Sequence, residues 1–211
     1  MSASLATALK HKPSNTTGKG LGRAHEILQA ARTVLAAEGY AGLSMRRVAG
    51  EVGISLSNVQ HYYQSKDALL EAVLLYTMDV FQAKIDEISA AMQSESRIDR
   101  FLSTVDMFLD EISDPVTHAI FFEIWALASR NEFASRLMDK MMARERKTIF
   151  NLIRGLAPGI GDDETMQRAI LIVAQVEGLM LFRLDRAARP EEFMLVRASV
   201  RKSLTALATI P

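Results

Sequence analysis

The chain has no cysteine among its 211 residues. That excludes a disulfide framework, a thiolate metal site and a cysteine nucleophile. It suits a reducing compartment, and a cytoplasmic location is the expectation. The 4 histidines do not cluster, no HExxH stands anywhere, and no glycine-rich phosphate loop is present. Enzyme chemistry has little to work with, so no catalytic residue, metal or cofactor is expected. Long apolar runs are also missing. None reaches the roughly 18 residues that a membrane span needs. The opening MSASLATALKHKP carries its charges after the small apolar stretch, the reverse of a signal peptide. No membrane partner is expected. Proline is scarce at 5 residues, and no segment alternates with the period of a strand. Hydrophobic residues make up 49%, enough for a sizeable core. The expected fold class is all-α, with about nine helices.

Net charge is lacking overall but not locally. Residues 1–66 hold 8 Lys and Arg against 3 Asp and Glu, while the remainder holds 17 against 22. The positive excess lies at one end, where it lowers the cost of approaching phosphate. An ordinary solvated surface with an accidental asymmetry would look the same on charge alone.

What stands at that end is the run Leu43 to Leu70, LSMRRVAGEVGISLSNVQHYYQSKDALL. Ser44 can cap a short helix whose Met45, Val48, Ala49 and Val52 form one apolar stripe, with Arg46 and Arg47 off it. Gly53 ends that helix, because it takes a left-handed conformation without steric cost. Ser55 caps a second helix with Val59 and Tyr63 inside. Leu56, Ser57, Asn58, Gln60 and His61 lie mostly outside. Ser65 caps a third helix that opens with Lys66 and Asp67. Two short helices about a glycine turn make a helix-turn-helix, whose second helix fits the DNA major groove. The second helix carries no Lys or Arg, but its amides Asn58 and Gln60 are the groups that bond adenine in pairs. From pattern alone, a helical hairpin packed into a core remains an equal reading.

The run GISLSNVQHYYQSKDALL resembles the signature of the TetR family of transcriptional regulators. Gly53, Ser55, His61, Tyr62, Ser65, Lys66 and Leu69 match that signature outright, and Ile54, Val59, Tyr63 and Asp67 match in type. Gln60 departs: most members carry Tyr there, touching the DNA backbone or a base. The run spans 18 of the 211 residues. The resemblance implies a homodimeric regulator of double-stranded DNA, with phosphate contacts from Ser44, His61, Tyr62 and Lys66. Arg46, Arg47, Leu56, Ser57, Asn58 and Gln60 complete the expected DNA-binding set. It further implies release from a palindromic operator by a small-molecule effector.

In order, residues 1–20 read as a disordered basic arm with Lys10, Lys12 and Lys19. Residues 21–66 read as the helix-turn-helix domain, which opens with an amphipathic helix from Gly22 to Glu38 ended by Gly39. Residues 67–211 read as a ligand-binding and dimerisation domain. Its helices are expected at 66–92, 95–112, 116–128, 130–154, 162–187 and from Pro190 onward. Helix 116–128 contains AIFFEIWALA, apolar nearly all round, which points to a buried position. Helix 162–187 has more apolar faces than one subunit hides, so it and the last helix are the expected dimer surface.

Eleven methionines are rich for this length. Met107, Phe121, Phe122, Trp125, Met138, Met141 and Met142 suit an adaptable apolar cavity, or a plain core. His118, Glu123 and Glu177 are the expected polar anchors for a ligand, with an internal Arg as the competing partner of each carboxylate. Two other classes stay open: an enzyme acting on a hydrophobic substrate, and a helical ligand- or partner-binding protein without operator binding.

Overall fold

The computed structural model describes residues 18–181 and 189–211, with side chains from residue 20 onward. Lys10, Lys12, the side chain of Lys19 and the predicted helical stretch 182–187 therefore lie outside the described residues. Nine α-helices and no strand are found among the rest. The helices are α1 (Gly18–Gly42), α2 (Met45–Val52), α3 (Leu56–Tyr62), α4 (Lys66–Ala91), α5 (Arg97–Ile112), α6 (Pro115–Ala128), α7 (Glu132–Ile153), α8 (Asp162–Leu181) and α9 (Pro190–Thr209). Their ends stand where local chemistry puts them. Ser96 caps α5 by accepting Asp99 N–H, Asp114 accepts Thr117 N–H at the start of α6, and Pro190 opens α9.

The chain forms two compact units. The first runs to Ala83 and takes in Ala119–Met138 as well. Its core includes Ile27, Leu28, Leu35, Leu43, Val48, Val59, Tyr63, Leu69 and Leu70, all at 1% exposure or less. This unit reaches well past residue 66, where the sequence suggested a boundary. The physical reason is size. The first three helices bury too little apolar surface to stand alone, and most of α4 and α6 supplies the rest.

The second unit comprises Lys84–His118 and Asp139–Pro211. Phe101, Val105 and Leu109 of α5, Ile149 and Ile153 of α7, Ile172 and Val176 of α8, and Val200 and Leu204 of α9 form one core. Arg197 binds Asp106 and Asp110 at 3.0 and 2.8 Å, and Arg201 also binds Asp106, so α9 is tied to α5. Arg168 of α8 donates to the carbonyls of Leu207 and Ile210, satisfying the open end of α9.

Helix α6 departs from expectation. Ile120, Phe121 and Ile124 are buried, but Phe122 is 37% and Trp125 51% exposed. Neighbouring elements cover one side of this helix only.

Candidate nucleic-acid interface

The interface begins with two caps and a turn. Ser44 Oγ accepts Arg47 N–H at 3.1 Å and starts α2. Gly53 closes α2 at φ 75, its N–H bonding back to Ala49 and Gly50 carbonyls, and Ile54 N–H also returns to Ala49. That positive φ is why glycine stands here. Ser55 Oγ then accepts Asn58 N–H and starts α3. Val59 and Tyr63 pin the inner side of α3 into the core, and burial pushes the Tyr63 phenol well above its ordinary pKa. With those two inward, helical geometry leaves Ser57, Asn58, Gln60 and His61 exposed and Leu56 and Tyr62 half-buried. The Ser57 hydroxyl meets Ser55 Oγ at 2.9 Å, and the His61 and Tyr62 rings stand edge to face.

The cations around α3 differ in what they are free to do. Arg46 is exposed and has no ion-pair partner among the described residues. Arg47 is committed: it bonds Glu38 at 2.8 Å and Glu51 at 2.6 Å, which raises its pKa further. The Lys66 ammonium lies 3.8 Å above the Tyr40 ring, and burial lowers its pKa despite the neighbouring Asp67. Tyr40 Oη in turn donates to Asp67 at 2.8 Å. Burial first, and that carboxylate second, raise the Tyr40 pKa. Tyr40 escaped the sequence reading, for its partners lie far along the chain and nothing in GYAGLS marks it.

The ten residues expected at an effector site are not brought together in one unit. Phe121, Phe122, Glu123, Trp125 and Met138 belong to the first unit, and Met107, His118, Met141, Met142 and Glu177 to the second. A cleft of about 530 Å³ in the second unit is lined by none of them, but by Glu164, Gln167, Arg168, Leu171, Ser203, Ala206, Leu207 and Ile210. Each of the three polar anchors has an internal partner, and it is not an arginine. Glu123 accepts Tyr40 N–H at 2.7 Å. His118 Nε2 bonds the Met180 carbonyl at 3.2 Å. Glu177 bonds the carboxyl of Glu145, and burial pushes both carboxyls above their ordinary values, Glu145 further because the charge of Glu177 adds to it. Such a pair holds a proton where two isolated carboxylates would not. Glu145 was missed because ARERK reads as a solvated face.

A short, capped, outward-facing helix set on a second helix across a glycine turn defines the reading head of a helix-turn-helix DNA-binding protein. Comparison with known proteins agrees. The description of bacterial regulatory proteins of the tetR family matches residues 27–73, and that of the BetI-type transcriptional repressor C-terminal region matches residues 97–208. The chain belongs to the tetR family of transcriptional regulators. It is 32% identical over 177 residues to an HTH-type transcriptional regulator in the dhlA 5′ region of Xanthobacter autotrophicus, covering 80% of this chain and 82% of that one. It is 27% identical over 93 residues to the HTH-type transcriptional repressor KstR2 of Rhodococcus jostii, covering 44% and 46%. A TetR-family transcriptional regulator from Rhodococcus sp. shares the fold at a TM-score of 0.71 and 24% identity, over 88% of this chain and 98% of that one.

Proposed function

We propose that the protein is a cytoplasmic, homodimeric repressor that leaves a palindromic operator when a small apolar or amphipathic ligand enters its second domain. One observation carries the DNA half of this reading. Val59 and Tyr63 hold α3 by one side, and Ser57, Asn58, Gln60 and His61 meet solvent on the other. Ser44, His61, Tyr62 and Lys66 hold phosphates, which position the head without reading sequence. Arg46, Leu56, Ser57, Asn58 and Gln60 read base edges and methyl groups. Arg47, bound to Glu38 and Glu51, keeps α2 in place and contributes less to the DNA.

Dimerisation is supported by apolar surface on the last two helices. Ile170, Leu171 and Leu181 of α8 and Met194 and Leu195 of α9 are all exposed. Each such side chain gains about 1.5–3 kcal/mol when fully covered, and a second copy is the cover this reading supplies. Two heads on one dimer then meet a two-fold site in a single binding event. Repression is supported by the repressor-type C-terminal region. Effector contacts within the second unit fall to Met107 and Met142, whose side chains still have surface to offer. A ligand empties the operator only through its differential affinity for the two states of the protein.

The test is anisotropy of labelled fragments flanking the protein's own coding region, titrated against salt. One fragment is expected to bind at least about 10³-fold better than its scrambled version. Equal binding to both at every salt concentration would leave only a basic surface, and the reading would fail.

A further inference from the structure

A kink at Gly39, inside α1, is where α2, α4 and α6 meet three consecutive residues. Gly39 sits at φ 67 and ψ −177, a conformation closed to side-chain-bearing residues. Over it lies the carboxyl of Glu123: a Cβ placed on Gly39 would stand 3.1 Å from Cδ, Oε1 and Oε2 alike. The same carboxylate accepts the N–H of Tyr40 at 2.7 Å, across 83 residues of sequence. The backbone angle calls for glycine, and a side chain there would also crowd the acid. The Tyr40 ring carries the Lys66 ammonium and its hydroxyl grips Asp67, both at the start of α4. One residue before Gly39, Glu38 binds Arg47 of α2.

We propose that Glu123 is a positioning residue for DNA binding: by holding Tyr40 N–H it sets the ring on which Lys66 rests, and so ties α6 to the reading head. Glu123 shares α6 with Phe121, which stacks on Phe81 of α4 at 6.4 Å, and with the exposed Phe122 and Trp125. A charge-assisted bond of this length is strong and directional. A shift of α6 of about one ångström breaks it, since hydrogen bonds weaken steeply outside their narrow range of length and angle. The kink in α1 then loses its only long-range acceptor for Tyr40 N–H among the described bonds, and Lys66 loses its seat. This rests on the operator-binding reading above and adds to it the contact through which a displaced α6 reaches the DNA.

The experiment uses the full chain and two readouts. The first is hydrogen exchange of the Tyr40 amide by NMR, which needs no DNA. Glu123→Ala should speed that exchange at least tenfold, while amides of α3 keep their protection. Glu123→Gln, which retains an acceptor at the same position, should restore most of it. The second is a cycle of operator affinities for Glu123→Ala, Lys66→Ala and the double variant, at a temperature where circular dichroism shows all of them folded. If Glu123 acts through Tyr40 on Lys66, the double variant loses no more affinity than Lys66→Ala alone. Unchanged Tyr40 exchange in Glu123→Ala overturns the latch. Additive affinity losses overturn the link to Lys66. Absence of operator binding by the unaltered chain would instead sink the repressor reading, and the exchange experiment would still decide the latch.

Discussion

The reading head and the terminal helix pair solve opposite problems. In the head, every outward polar residue lies within four positions of an inward anchor: Asn58 and Gln60 flank Val59, and His61 stands two residues before Tyr63. Caps at Ser44, Ser55 and Ser65 begin its helices through bonds spanning three residues. In α8 and α9 apolar residues face out beside polar ones, Leu171 at 55% and Leu195 at 72% exposure. A polar group turned to solvent is complete as it stands. An apolar one is not, and its meaning depends on what covers it. The contrast teaches that the outward face of the reading helix follows from its own short sequence, while the apolar face of the terminal pair takes its meaning from the dimer proposed above.

Several changes would break or sharpen this contrast. The largest effect is expected from charging the terminal pair with Leu171→Glu and Leu195→Glu together. Sedimentation should then show a monomer with helicity intact, and operator affinity should fall about 10²-fold or more as the two heads are uncoupled. A monomer that binds as tightly as before would mean the head needs no assembly. Next comes Gly39→Ala, where backbone strain and the Glu123 carboxyl together should cost about 1–3 kcal/mol in urea denaturation. Arg46→Ala should cost about the same in operator binding, but relax preference at one base pair, whereas Lys66→Ala should weaken all sequences alike. Uniform loss from Arg46→Ala would remove its base-reading role. Ser55→Ala should lower thermal stability by about 1 kcal/mol, the worth of a cap.

The smallest effect lies in the second unit and depends on pH. Glu145 and Glu177 have folded-state values above the ordinary 4.5, so the native chain holds more protons than the unfolded one as pH rises from there. Stability should therefore decline with rising pH through that window, and level off once the raised values are passed. Glu177→Gln removes one of the two charges and keeps a hydrogen-bonding partner for Glu145. Its melting temperature should fall less between pH 5 and pH 8 than that of the unaltered chain, measured by calorimetry in matched buffers.

Much of this was legible beforehand. The helix boundaries at Gly53, Ser55, Ser65 and Pro190 follow from residues that either break or start a helix by their own covalent geometry, whereas Gly39, expected to end the first helix, only kinks it and α1 runs on to Gly42. The exposed face of α3 follows from two apolar positions and the helical repeat. Illegible were the roles that depend on distant partners. Arg47 read as a DNA contact because Glu38, nine residues back, gives no sign that it will fold onto it. Glu123 and Glu177 read as anchors for a ligand because a lone carboxylate in an apolar helix demands a partner without naming one. The partners were a backbone N–H and another acid. Helix α6 read as buried because an apolar circumference does not say which sides a neighbour reaches.

The amino-acid order alone determined where the helices start and stop and which side of the reading helix turns outward. Caps, glycine angles and the 3.6-residue repeat act over a few positions and leave little choice. Tertiary structure alone decided that Tyr40 seats Lys66 under the hold of Glu123, and that Glu145 meets Glu177. Those pairings join residues 26, 83 and 32 positions apart. Contacts at such separations exist only once packing has brought the helices together.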